Sequence, residues 1–417
     1  MQTRLPDDLR RTARGAEADA ILRSCVHCGI CTASCPTYRL VGDEPDSPRG
    51  RIYLIKSLLE GEATGAATQY HLDRCLGCRN CETACPSGVR YGRLLDIGRE
   101  VLEGRVRRPV YQRLLRWGIR HWIGEPLRFA RLIRIVQRLR RVLPQRIRRM
   151  LPAPSARVPW PAPRHARRVL ILEGCVQPVL APNINAATAR VLDRLGLSAQ
   201  PAPGCCAALA YHLSASEEAK RLIRRNIDNW WPAVEQGLEA IVVTASGCGT
   251  LVKDYGAVLH DDPDYTAKAA RIAALARDPC ELLSHEDLEP LLAPFINAGP
   301  IAFQAPCSLQ HGQRLAGVTE SLLRRLGFEL TLVGDAQTCC GSAGSYSILQ
   351  PALARRLLRA KIERLEEGRP RLIATANIGC YSFLKTEARV PVKHWIELLD
   401  TDTASISAPT PERNTAR

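Results

Sequence analysis

"CVHCGICTASCP" at residues 25–36 and "CLGCRNCETACP" at residues 75–86 decide how the first part of this chain folds. Both read C-x2-C-x2-C-x3-C-P, the run that holds [4Fe–4S] clusters in two-cluster ferredoxins. Three cysteines at i, i+3 and i+6 wrap a tight loop around one face of a cube, each thiolate reaching one iron. The helix that begins after the fourth cysteine carries it to the other cluster. The spacing therefore predicts one cluster on Cys25, Cys28, Cys31 and Cys85, and another on Cys75, Cys78, Cys81 and Cys35. Pro36 and Pro86 remove a backbone donor and turn the chain away from the cube. Zinc is the competing ligand, but zinc ribbons and fingers use separated C-x2-C pairs, four ligands to an ion. Two interleaved triplets with two single cysteines do not follow that pattern.

About forty residues separate the runs, and "PRGRIYLIKSLLEG" and "TQYHLDRC" within them read as helices. This predicts a mostly helical two-cluster domain over residues 1–104. His27, inside the first loop, either tunes a cluster by hydrogen bonding or is a solvated loop residue. Arg49 and Arg51 either offset cluster charge or form surface ion pairs.

The cysteines are unevenly spread: of seventeen, eight fall in residues 25–85 and nine in residues 175–380. No apolar stretch opens the chain, so a cytoplasmic protein is expected, where many cysteines signal metal ligation rather than disulfides. No apolar run reaches membrane-spanning length. The formal charge of +16 calls for an acidic partner surface.

Residues 105–150 concentrate that charge, with fifteen arginines and a single acidic residue, Glu125. A basic amphipathic helix is expected at 126–143. Leu132, Ile135, Val136, Leu139 and Leu143 form one face, with Arg131, Arg134, Arg138 and Arg141 beside it. Five prolines in "LPAPSARVPWPAPRHA", residues 151–166, read as a stiff linker outside any packed core. The span 105–167 thus separates two halves.

The second half is a duplication. "VLILEGCVQP", "GCCAAL" and "AIVVTASGC" are answered by "IAFQAPCSLQ", "TCCGSA" and "LIATANIGC". Cys175, Cys205 and Cys248 stand 132, 134 and 132 residues before Cys307, Cys339 and Cys380. Each copy reads strand, cysteine, amphipathic helix closed by Gly196 or Gly327, Cys-Cys, longer helix, strand, cysteine. Such alternation predicts α/β units with largely parallel sheets, at 168–290 and 291–402, followed by a disordered tail at 403–417. The fold class is α+β multidomain. Cysteines at strand C-termini lie where such sheets place function. Cys175, Cys205, Cys206 and Cys248, and Cys307, Cys339, Cys340 and Cys380, either bind a further metal centre or are buried, reduced packing residues. Cys280 falls outside the repeat. His311 and His394 are extra ligands, acid–base groups or satisfied structural histidines.

"CVHCGICTASCPTYRLVGDEPDSPRGRIYLIKSLLEG", "HLDRCLGCRNCETACPSGVRYGRLLDIGRE", "GCVQPVLAPNINAATARVLDRLG", "TCCGSAGSY" and "VKHWIELLD" together resemble the iron–sulfur subunit of bacterial glycolate oxidase, in order, from about residue 20 to residue 400. The resemblance implies an electron-transfer subunit that takes electrons from FAD-containing subunits. Those subunits oxidise glycolate to glyoxylate, with D-lactate as a related substrate. The electrons then go toward a membrane acceptor, the quinone pool. It implies a chain with no catalytic residue of its own, peripheral on the cytoplasmic face of the inner membrane. In agreement, no G-x-G-x-x-G follows a strand here.

The repeats resemble the cysteine-rich CCG domains of heterodisulfide reductase, whose C…CC-G…C-x-x-C motif holds a noncubane [4Fe–4S] cluster. This chain departs from that motif: Ala207 follows the first Cys-Cys pair, and neither copy ends in C-x-x-C. Two other functions share some of these features. The cluster subunit of anaerobic glycerol-3-phosphate dehydrogenase or of a lactate-oxidising complex has the same cysteine layout. A nucleic-acid-binding metal protein would explain the charge, but the amphipathic pattern of the basic stretch speaks against phosphate tracking.

Overall fold

The computed structural model describes residues 1–62, 64–139, 142, 159–292 and 299–400. The expected tail at 403–417 and the first half of the proline-rich stretch lie outside them.

The first part is built from helices, and no strand occurs among the described residues before Arg167. Helices Ala13–Ser24, Pro48–Leu59 and Tyr91–Arg105 enclose a core of Leu22, Ile52, Ile55, Leu58, Leu94 and Leu95. Sequence explains their starts. Thr12 and Ser47 accept from the N–H groups of Gly15 and Gly50, satisfying first-turn donors, and Pro48 takes the first helical position. The segment between the cysteine runs supplies Pro48–Leu59 and Ala66–Asp73, as its pattern predicts.

The duplicated part forms two parallel sheets. In the first, β2 (Leu197–Ala202), β1 (Arg167–Leu172), β3 (Ala240–Val242) and β4 (Ala276–Arg277) lie in that order. In the second, β5 (Ile301–Gln304), β6 (Leu372–Thr375) and β7 (Val392–His394) follow one another. A parallel bridge from Ile301 to Leu330 stands where the first sheet has β2. The copies therefore share one strand order, with one strand shrunk to a bridge. Gly196 and Gly327 end the equivalent helices Asn183–Arg194 and Val318–Arg325 at φ 80° and 86°, where a side chain would be strained.

One core serves both sheets, joining Val169, Ile171 and Val242 to Phe303, Ala374 and Trp395. Polar ties cross the same junction. Ser246 meets Ser308 at 2.8 Å, Gln313 donates to the Ser246 carbonyl, and His394 Nε2 donates to the Thr244 carbonyl at 3.0 Å. The helical domain docks on both copies. Arg79 pairs with Asp254 at 2.6 Å and Arg39 with Asp335 at 2.8 Å, while Thr83 meets His311 Nδ1 at 3.0 Å.

The basic stretch forms a hairpin of two helices, Val110–Ile123 and Pro126–Arg138. The second is shorter than the expected 126–143, and Arg141 and Leu143 lie outside the described residues. Its expected apolar face is divided: Leu132 and Val136 are half-buried, Ile135 and Leu139 exposed. The reason is that the helix seats itself through Phe129, the residue it buries, which turns Ile135 outward. The end of the proline-rich stretch also departs from expectation. Trp160 packs against the shared core, and the backbone N–H groups of Arg164 and His165 donate to Ser198 Oγ. A large aromatic ring supplies enough apolar surface to hold even this proline-rich backbone against the first unit.

Candidate metal centres

Each cysteine run folds the same way. The first loop has left-handed residues at His27 (φ 60°) and Gly29 (φ 85°), the second at Gly77 (φ 65°) and Arg79 (φ 58°). One of each pair is glycine and the other pays the strain, so the loop shape is imposed by what surrounds it rather than by glycine alone. A one-turn helix follows, Ile30–Ala33 or Asn80–Thr83, and then the fourth cysteine before its proline.

The structure gathers the eight sulfurs into two groups. Cys25, Cys28, Cys31 and Cys85 line one pocket with Pro86, Val89 and Tyr91; Cys81 reaches the same pocket, but the cysteine charges that Cys31 feels are those of Cys25, Cys85 and Cys28. Cys81 lies in the field of Cys78, Cys75 and Cys35. Each group thus contains one triplet and the single cysteine of the other run. Among the described residues, no three cysteine sulfurs lie mutually within 4.8 Å. Ligands of one tetrahedral zinc ion would stand about 3.8 Å apart, closer than any three of these sulfurs lie. The one trio that does close to that distance, Asp43, Asp46 and His71, is an ion-pair site, because Asp46 already holds Arg51 and Arg74.

The second group has a polar shell that fits an anionic centre. Tyr91 Oη donates to Cys75 Sγ at 3.5 Å, Thr37 Oγ1 lies 3.2 Å from Cys35 Sγ, and Arg51 Nη1 is 4.0 Å from the same sulfur. Two buried guanidiniums, Arg51 and Arg74, face a single buried carboxylate, Asp46. That leaves a positive charge beside the sulfurs, which thiolates bound to iron would balance. Burial pushes the Cys78 and Cys81 thiols well up, so a bound cation is needed to hold them as thiolates. Of the two arginines singled out in the sequence, Arg51 belongs to this shell. Arg49, half-buried, pairs with Glu44 and also lines the pocket of the first group, in range of Cys31. His27 is exposed.

In the duplicated units the cysteines also converge. Every one follows a strand C-terminus or its equivalent. In the first copy Cys175 contacts Cys205, Cys205 contacts Cys206, and Cys206 Sγ lies 3.0 Å from Cys248 Sγ. Hydrogen bonds from Cys175 and Cys206 hold the Cys205 thiol well below its usual range. In the second copy Cys307 Sγ lies 3.8 Å from Cys339 Sγ and Cys340 Sγ 3.1 Å from Cys380 Sγ. The four sulfurs are linked in series in each copy, and in the first the end cysteines Cys175 and Cys248 also feel each other. Leu251 and Phe383, standing where the fuller motif has a cysteine, are buried and half-buried apolar residues. Cys280 is buried in the shared core, away from both strings. His394 is also structural: its Nδ1 accepts from the Ile396 N–H and its Nε2 donates to Thr244.

The copies differ in what surrounds them. Cys78 has Cys307 as its strongest charged neighbour, and Cys339 also feels Cys78. Tyr346, buried, lies in range of both Cys75 and Cys339. The second string therefore abuts the second ferredoxin-type group. The buried ammonium of Lys361 faces Cys340, Cys339 and Cys380. The first string has neighbours from its own unit, Asn226 and Tyr255, bonded to the carbonyls of Cys205 and Cys206. Tyr91, Tyr346 and Lys361 carry no motif, and only the packing of distant segments brings them to the sulfurs.

Fold and sites define an iron–sulfur electron-transfer protein with twin cysteine-rich units. Residues 21–89 match the 4Fe-4S dicluster domain, and residues 169–253 and 301–385 each match the cysteine-rich domain. The chain is 54% identical over 403 residues to the glycolate oxidase iron-sulfur subunit of Escherichia coli, covering 96% of this chain and 98% of that one. It is 30% identical to the probable glycolate oxidase iron-sulfur subunit of Bacillus subtilis, over 87% of this chain and 88% of that one. Lactate utilization protein A of Geobacillus kaustophilus is 27% identical over 51% of this chain and 88% of that one. The chain belongs to the family of glycolate oxidase iron-sulfur subunits. That family name makes it part of a redox enzyme complex with at least one partner subunit.

Proposed function

We propose that this chain carries electrons from an FAD-containing subunit, where glycolate is oxidised to glyoxylate, toward a quinone acceptor in the membrane. Cys25, Cys28, Cys31 and Cys85 hold one [4Fe–4S] cluster, and Cys75, Cys78, Cys81 and Cys35 the other. The clusters supply one-electron storage and transfer. The observation that carries this reading is the gradient of enclosure. Cys28 is exposed, while in the second group Cys35 and Cys81 are buried and Cys75 and Cys78 half-buried, with Tyr91, Arg51 and the second cysteine string against them. One group that reaches solvent through Cys28, beside a second, more enclosed group, suits entry of an electron at one and its passage to the other.

The residues divide the work. The first loop presents its sulfurs to a partner. Tyr91, Thr37 and Arg51 favour added negative charge on the second group. Cys307, Cys339, Cys340 and Cys380, with Lys361 beside them, are suited to a further iron–sulfur centre. Glycolate is favoured over lactate as the complex's substrate because the relatives named for glycolate oxidase match along almost the whole chain, those named for lactate utilization along about half.

The test is anaerobic purification of the complex with its flavoprotein. We expect about eight irons from the ferredoxin-type domain and bleaching of the clusters on adding glycolate. Stoichiometric zinc in place of iron, or full cluster reduction by D-lactate with none by glycolate, would overturn the reading. Cys35→Ala checks the crossed ligation. It should disturb the cluster held by Cys75, Cys78 and Cys81 and spare the other in electron paramagnetic resonance spectra.

A further inference from the structure

Seventeen large apolar side chains are exposed among the described residues, and ten of them lie in Val110–Val142. They are concentrated on the outer face of the helical hairpin. Tyr111 is 67% exposed, Leu114 61%, Trp117 51% and Leu127 70%. The hairpin's inner face is fully engaged. Ile119 and Phe129 are buried, Arg108 and Arg116 pair with Asp73, and Arg120 pairs with Glu218. The outer arginines are different. Arg113, Arg128, Arg131, Arg134 and Arg138 are exposed, and among the described residues none has a carboxylate partner. The hairpin's single acidic residue, Glu125, is half-buried.

We propose that this outer face is a lipid-binding surface that lays the hairpin on an anionic bilayer. A packed protein interface would have to supply carboxylates for five desolvated guanidiniums. A bilayer surface does not: arginine stems lie along the acyl boundary while the heads reach phosphate, and tryptophan and tyrosine favour that same depth. No described helix is long and apolar enough to cross a membrane. The proposal deepens the reading that electrons leave for a membrane acceptor, and it rests on that reading for its purpose. It also gives the complex an orientation. The hairpin is anchored to Asp73 of the helical domain and Glu218 of the first cysteine-rich unit, so both are held at the bilayer together.

The experiment is flotation of the intact complex with vesicles of phosphatidylcholine alone and with phosphatidylglycerol mixed in. Each arginine near an anionic surface is worth roughly fivefold in partition. Arg131→Glu with Arg138→Glu should therefore weaken binding to the anionic vesicles by at least about 25-fold. Leu114→Ser with Trp117→Ser should weaken it at any salt, whereas the arginine effect should fade as salt rises. Iron content and cluster spectra, unchanged in both variants, show that the fold is intact. Equal flotation with neutral vesicles, no flotation at all, or variants that float like the wild type would overturn the proposal. So would loss of the flavoprotein from the arginine variant with flotation unchanged, which would make the face a protein interface. A complex bleached by glycolate that does not float refutes the lipid surface alone. One that floats but is not reduced leaves the surface standing and refutes the electron-transfer reading.

Discussion

Ala207 and Gly341 occupy the same place in the two copies, directly after a Cys-Cys pair, and both are left-handed, at φ 72° and 85°. The glycine of the fuller motif is thus not needed to form the turn, since alanine forms it at a cost of about 1–2 kcal/mol. Exchanging the two residues should have unequal effects. Ala207→Gly relieves that strain, but loses about 0.8 kcal/mol of methyl burial and gains unfolded-state entropy, so stability should stay within about 0.5 kcal/mol. Gly341→Ala meets the Ala354 carbonyl oxygen, which stands 2.5 Å from the new Cβ, and should cost about 2–3 kcal/mol. Denaturant melts of both variants check this. Tyr91 makes a second residue-scale prediction. Its hydroxyl donates to Cys75 Sγ, a bond that strengthens when the bound group gains an electron. Tyr91→Phe should lower one cluster's potential and leave the other alone. About 1 kcal/mol of differential hydrogen bonding corresponds to ~40 mV for one electron. A redox titration followed by electron paramagnetic resonance reads it, and equal shifts in both clusters would refute the assignment. The cysteines were legible from spacing. Tyr91 was not, because a lone tyrosine at the start of a helix carries no signal until the fold sets it against a sulfur.

At the scale of elements, the strand–cysteine–helix order was readable because strand and helix periods differ and the repeat shows each boundary twice. The missing partner of β5 was not readable, since a strand reduced to the single bridge at Leu330 keeps no alternation to detect. The short helix after β7 is capped by His394, whose burial pushes its pKa down to about 4 from 6.5. A depressed folded-state pKa gives a definite sign. Above about pH 6.5 the imidazole is neutral in both folded and unfolded chains. As pH falls from there toward 4, the unfolded chain takes up a proton that the folded one refuses, and stability is lost. His394→Gln keeps a donor for Thr244 but cannot titrate in this range. It should lower the melting temperature near neutral pH and flatten its decline between pH 6.5 and 4. A decline as steep as the wild type's would place the titration elsewhere.

At the scale of the whole molecule, the helical domain is held on the duplicated units by a few polar contacts, and Arg79 is the most consequential. It lies between Cys78 and Cys81 and reaches Asp254, six residues after Cys248. Asp254→Asn should cost about 1–2 kcal/mol. That is less than the ~3–5 kcal/mol of a fully buried pair because the Asp254 side chain is a third exposed. It should also speed amide hydrogen exchange over residues 78–84, and unchanged exchange there would mean the docking does not depend on this pair. The sequence by itself determined the cluster motif, the duplication and the α+β division, because each is local or periodic: ligand spacing, repeat offset and hydrophobic alternation all survive in one dimension. Tertiary structure alone decided three things. It set the second cysteine string against Cys78, buried Arg51 while leaving Arg49, two residues before it, half-buried beside the first group, and turned one face of the basic hairpin outward. All three depend on which surfaces of distant segments meet, and burial and charge pairing across such contacts leave no pattern along the chain.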